Sequence, residues 1–120
     1  MSELLEKVAW INLLNDFYGQ LLTQRQQSFM ELYYGQNLSL GEIASEFKVT
    51  RQAVHDTLKR AEQLLHDYEV KLCLVEKFNN ERNKLTTAAV LLDEYSSTCK
   101  DGRVLRAREI LSEILDMVNK

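Results

Sequence analysis

The chain has 120 residues, a formal net charge of −3, 45% hydrophobic and 28% charged residues, four glycines and no proline. That length holds one compact domain, or a small domain with an extension, and the scarcity of helix breakers among abundant Leu, Glu, Gln, Lys and Arg predicts an all-α fold. The acidic balance excludes a general nucleic-acid coat protein, whose non-specific affinity for phosphate needs an excess of Lys and Arg.

Leu4, Val8, Ile11, Leu14 and Tyr18 recur at helical spacing and predict an amphipathic scaffold helix from Glu3 to about Tyr18, with Gly19 placed to end it. Thr23-Gln24-Arg25-Gln26 has the form of a capping box, a Thr with Gln three residues on, and opens a helix expected to run to about Tyr34 and stop at Gly35. A second capping box, Ser39-Leu40-Gly41-Glu42, opens a short helix that buries Ile43, Ala44 and Phe47. Lys48-Val49-Thr50 turns the chain, and Thr50 caps a new helix beginning at Arg51.

That helix carries a stripe of Val54, Leu58, Ala61, Leu65, Tyr68, Leu72 and Val75, a strict alternation of four and three that reads as a heptad seam. Unbroken to Phe78 it would be about 42 Å long at 1.5 Å per residue, and its seam would need a partner. Leu85, Ala88, Leu92, Tyr95 and Cys99 form one candidate partner, and Val104, Ala107, Leu111, Ile114 and Val118 form another. Turns are expected at Asn79, Asn80 and Asn83 and at Asp101-Gly102. The expected division is a domain over residues 1–66 and a helical extension over 67–120 that packs back or dimerises.

Three helices within about forty residues, a small Ala44 at the crossing and Ile43, Phe47, Val49 and Val54 at the joint have the organisation of a helix-turn-helix. With Val54, Leu58 and Ala61 facing inward, the helix from Arg51 presents Arg51, Gln52, His55, Asp56 and Lys59 outward, with Arg60 on the flank. Arg and Gln suit bidentate contacts to guanine and adenine edges, and Lys59 or Arg60 suits a phosphate. Asp56 is repelled by phosphate unless it accepts from a cytosine amine.

The span LLTQRQQSFMELYYGQNLSLGEIASEFKVTRQAVHDTLKRAEQLL resembles the sigma-factor domain that reads the minus 35 promoter element, in LT-x-R-Q, LYY, LSL-x-EIA and V-T-R-x-AV. With LLNDFYGQLLT before it and TRQAVHDTLKRAEQLLHDYEVKL completing it, the match widens to residues 13–72 and resembles the YlxM-type family of small bacterial proteins. The resemblance implies a cytoplasmic protein with extra helices after a sigma-like module, encoded beside the signal recognition particle GTPase and regulating that pathway, with the GTPase or its RNA as partner. It also implies that Arg51, Gln52, His55 and Asp56 occupy base-facing positions, with Lys59 and Arg60 near phosphates. Lys48 stands where Gly often makes the turn, which predicts an uncommon backbone conformation there.

From Thr23 to Leu65 five basic residues, Arg25, Lys48, Arg51, Lys59 and Arg60, are matched by Glu31, Glu42, Glu46, Asp56 and Glu62. A neutral module gains little from counterion release unless a dimer supplies two copies, and the heptad seam of the long helix suits a folding or dimer contact, so a homodimer is expected. Tyr33 and Tyr34 could stack on RNA bases, although one of two adjacent helical tyrosines is expected to face the core. His66 and Cys73, about 10.5 Å apart on a helix, cannot close one zinc site. No phosphate-cradling Gly loop, metal-ligand spacing or Ser-centred elbow occurs, so no cofactor, metal or enzyme activity is expected. The longest strongly apolar run, Ala88 to Leu92, is far short of the roughly 20 residues of a membrane span, and Met1-Ser2-Glu3 does not begin a signal peptide. Cytoplasmic location follows as the expectation, with Cys73 and Cys99 as reduced thiols. The functional readings are an accessory factor of the signal recognition particle pathway, a dimeric DNA-binding transcription regulator and a purely protein-binding adaptor.

Overall fold

A computed structural model describes residues 2–98 and 100–118, and every regular element in them is helical. The helices are α1 (Ser2–Tyr18), α2 (Gln24–Met30), α3 (Leu40–Phe47), α4 (Arg51–Leu72), α5 (Leu74–Ser96) and α6 (Gly102–Val118). The chain divides into two compact units, Met1–Val75 and Glu76–Lys120.

In the first unit each short helix begins where a side chain takes up otherwise unpaired N–H groups. The Gln26 N–H donates to Thr23 Oγ1 at 3.2 Å while the Thr23 N–H donates to Gln26 Oε1 at 3.0 Å. Ser39 and Glu42 repeat this exchange at 3.1 Å in each direction. Thr50 Oγ1 accepts from the Ala53 N–H at 3.0 Å and opens α4. All three expected caps are present.

The second helix ends at Gly35, as its sequence predicts, although its last turn is not α-helical. A wider turn over Glu31–Gly35 completes it, with the Gln36 N–H reaching back five residues to the Glu31 carbonyl at 2.9 Å. The chain leaves through Asn37 at φ 59°, a left-handed conformation that Asn tolerates better than most residues. Between α3 and α4, Lys48 takes φ 57° and ψ 44°, the uncommon conformation its place in the turn predicted.

The core of the first unit joins Ile11, Leu14 and Tyr18 of α1 to Phe29 and Met30 at the second helix, Ile43 and Ala44 of α3, and Val54, Leu58, Ala61 and Leu65 of α4. The seam of α4 is thus covered within its own module as far as Leu65, and needs neither C-terminal segment there. Phe29 meets Phe47 edge-on at 4.9 Å, with the Arg25 guanidinium 5.7 Å from one ring and 5.8 Å from the other. Leu4, expected on the apolar face of α1, is exposed.

The long helix does not continue to Phe78. It ends at Leu72, and Cys73 takes φ 55° and ψ 30°. The cause lies far away in sequence. The Tyr18 hydroxyl accepts from the Leu74 N–H at 3.0 Å and donates to Glu69 Oε1 at 2.5 Å, and the same carboxylate oxygen accepts from the Val75 N–H at 3.1 Å. Tyr18 and Glu69 together do for α5 what an N-cap side chain does elsewhere. Leu72, at the end of α4, is exposed while Val75, beyond the break, returns to the core, so the seam loses its regular step.

In the second unit α5 passes through Asn79, Asn80 and Asn83 without the expected turn, all three lying on its exposed side. Asp101-Gly102 does turn the chain, and Asp101 Oδ1 accepts from the Arg103 N–H at 2.9 Å. Arg103 also holds the Asp101 carboxyl below the usual carboxylate range. Residues 97–101 are short enough to return α6 along α5, and Arg108 of α6 donates to Asp93 of α5. The half-covered faces run through Leu85, Ala88, Leu92 and Ser96 on α5 and Val104, Ala107, Leu111, Leu115 and Val118 on α6. Tyr95 and Ile114, expected in these stripes, stand exposed, and Cys99 lies outside the described residues.

Candidate nucleic-acid interface

Thr50 fixes the start of α4, and Val54, Leu58 and Ala61 fix its rotation by entering the core. Arg51, Gln52, His55, Asp56, Lys59 and Arg60 are consequently exposed. Arg51 lies across the start of α3, its side chain 3.9 Å from where a Cβ on Gly41 would stand.

Formal neutrality of the module conceals an asymmetry in how its charges are used. Asp56 accepts from Gln52 Nε2 at 2.8 Å, with His55 Nδ1 at 3.6 Å. Glu62 accepts from the Tyr34 hydroxyl at 2.5 Å and sits 4.0 Å from Lys7 Nζ. Burial and the Glu62 carboxylate both push the Tyr34 phenol well above its usual range, so it stays a proton donor. Glu42 is occupied by its cap. Arg51, Lys59 and Arg60, by contrast, form no ion pair among the described residues. Glu42 and Glu62 are thus taken up by other parts of the module and Asp56 by Gln52 on the exposed face itself, while the guanidinium and ammonium groups of α4 are available to an anion.

Three adjoining recesses run along this side of the module. One of about 210 Å³ is lined by Lys7, Tyr33, Tyr34, Leu40, His55, Leu58, Lys59 and Glu62. It shares Tyr33 and Tyr34 with a second of about 400 Å³ reaching Leu4 and Val8, and shares Leu40 and His55 with a third of about 290 Å³ bordered by Arg51 and Gln52. Tyr33 meets Tyr34 edge-on at 4.9 Å, and neither tyrosine is fully buried. A flat aromatic beside cationic side chains suits an unpaired base and its phosphate. Lys7 was not singled out in the sequence, because it lies more than forty residues from the helix it joins and no local pattern marks it.

The described residues contain no group of three His, Cys, Asp or Glu able to hold a metal ion, and no helix is long and apolar enough to cross a membrane.

Residues 5–101 match the profile of the family described as "UPF0122: Putative helix-turn-helix protein, YlxM / p13 like". A UPF0122 protein of Desulforamulus reducens is 58% identical over 106 residues, covering 88% of this chain and 91% of that one. Others from Bacillus mycoides and Bacillus anthracis are 52% and 50% identical over 91 residues, covering 76% of this chain and 83% of each relative. The joint residues and caps described above all lie within the matched span, and the chain belongs to the UPF0122 family of YlxM/p13-like helix-turn-helix proteins.

Proposed function

We propose that the protein is a cytoplasmic, non-enzymatic regulatory accessory factor of the signal recognition particle pathway, that its helix-turn-helix contacts nucleic acid, and that it works as a homodimer. The α4 face carries the nucleic-acid part of this reading: Arg51, Lys59 and Arg60 are exposed and form no ion pair among the described residues, while Glu62 bonds to Tyr34 and Asp56 to its neighbour Gln52. The pathway assignment rests on the YlxM-type resemblance, with the GTPase or its RNA as partner.

The test is capture from lysate on the full-length protein with and without nuclease, followed by GTP turnover of the purified particle. Recovery of the particle and a changed turnover rate are expected, with nuclease sensitivity reporting an RNA contact. No association and no effect on turnover would overturn the pathway assignment. Arg51→Ala and Lys59→Ala should each weaken nucleic-acid binding, and loss of Lys59 should lower the salt dependence by about one phosphate contact for each module engaged.

Exposure of Arg51 and Gln52 at the first turn of α4 favours a second reading, a dimeric DNA-binding transcription regulator. Selection from random duplex DNA would return a consensus site with two half-sites in that case, and none in the first.

A further inference from the structure

The second unit buries little of its apolar surface. Among its described residues only Ala89 is buried, while Leu91 and Tyr95 on α5 are 59% and 54% exposed, and Ile110, Ile114 and Met117 on α6 are 42%, 37% and 76% exposed. Two-helix segments of about this size rarely hold themselves together, and oligomerisation is one of the usual remedies.

Helical geometry makes these exposed residues a single surface. At about 100° per residue, Tyr95 and Leu91 lie roughly 65° and 105° from the centre of the half-covered face of α5, and Ile114, Ile110 and Met117 lie roughly 60°, 100° and 120°, in the same sense, from that of α6. When α6 returns antiparallel to α5, similar rotations in the same sense bring both stripes out on one side of the pair. The second unit is then a two-helix layer with one apolar face, which is half of a four-helix bundle.

The charges on α6 select the occupant. Arg106, which pairs with Glu109 of its own helix at 3.1 Å and is exposed, precedes Ile110 at the edge of the stripe, and Glu113 follows it on the same edge. If two copies of α6 cross antiparallel at Ile110, Arg106 of each comes level with Glu113 of the other, and the arrangement closes on itself with two-fold symmetry. A parallel crossing sets Arg106 beside Arg106. The pattern is self-complementary only in the antiparallel sense.

We propose that this face binds a second copy of the chain, the two α5–α6 layers stacking as a four-helix bundle with Ile110 on the two-fold axis. The assignment rests on the homodimer reading above and adds the surface and the register. Arg108, bonded to Asp93 on the opposite side of α6, stays within its own copy.

Native mass spectrometry and light scattering of the full chain test it. The wild-type protein should be dimeric, Ile114→Glu should be monomeric with unchanged helical circular dichroism, and Arg106→Glu should raise the dimer dissociation constant at least about tenfold, because two symmetric contacts become repulsive. Arg106→Glu combined with Glu113→Arg should restore the dimer. In a chain lacking both natural cysteines, Ile110→Cys should cross-link readily across the axis, and Leu105→Cys, on another side of α6, should not. The cross-link keeps the proposal falsifiable where a glutamate variant loses helicity. A dimer indifferent to Ile114→Glu, or equal cross-linking from Leu105→Cys, would overturn this surface and leave the homodimer reading standing. A monomeric wild-type chain would overturn both.

Discussion

Tyr18 contributes more than volume to the core. Its ring is buried, and its hydroxyl ties α1 to the end of α4 and the start of α5. Burial foremost, and then the hydrogen bond to Glu69, raises its pKa above the ordinary 10.0. The folded chain therefore keeps a proton that the unfolded chain sheds above about pH 10, so the contribution is whole below that pH and is lost as the solution becomes more alkaline. Tyr34 is shifted in the same direction. Tyr18→Phe should cost about 1–3 kcal/mol at neutral pH, since Leu74 N–H and Glu69 each lose a partner. It should also make the alkaline decline in stability shallower than in wild type. Urea titrations from neutral pH upward measure both; an unchanged alkaline slope would mean that the hydroxyl is not held as described.

At the scale of elements, the parts legible in the sequence were those with local causes. Thr23, Ser39 and Thr50 cap helices because the residues they bond are three places away, and Val54, Leu58 and Ala61 turn α4 inward by spacing alone. The break at Cys73 had no such sign. The apolar step from Tyr68 to Leu72 to Val75 reads straight through it, and the groups that enforce it include Tyr18, more than fifty residues earlier. The asparagines misled for the opposite reason: Asn is only a modest helix former, yet three on an exposed face are tolerated between good formers such as Glu81, Arg82 and Lys84. At the interface, Arg51 to Arg60 could be read off one helix, while Lys7 joined it only through the packing of α1. Cys73→Gly decides between a broken and a continuous helix by its sign. At a left-handed position glycine relieves the side-chain penalty and should stabilise by up to about 1 kcal/mol, whereas inside an unbroken helix it would cost roughly 1 kcal/mol. Chemical denaturation of the variant should show the gain.

For the whole molecule, the two units answer different needs. The first offers a face whose cations are available, yet a single neutral module engages few phosphates. The second supplies an apolar layer suited to pairing, and pairing doubles the number of such faces per particle. Dimerisation and nucleic-acid affinity should therefore be coupled through salt dependence. If both α4 faces of a dimer touch the same nucleic acid, the slope of log K against log salt is the sum of two sets of contacts. Ile114→Glu, which alters no residue of the first unit, should then weaken binding and reduce that slope to about half. Lys59→Ala should lower the wild-type slope by about two contacts per dimer and that of the monomeric variant by about one. Fluorescence anisotropy with a labelled oligonucleotide over a salt series reads all four chains in one experiment. Equal slopes for wild type and Ile114→Glu would mean that each module binds alone, and that the second unit serves some end other than affinity.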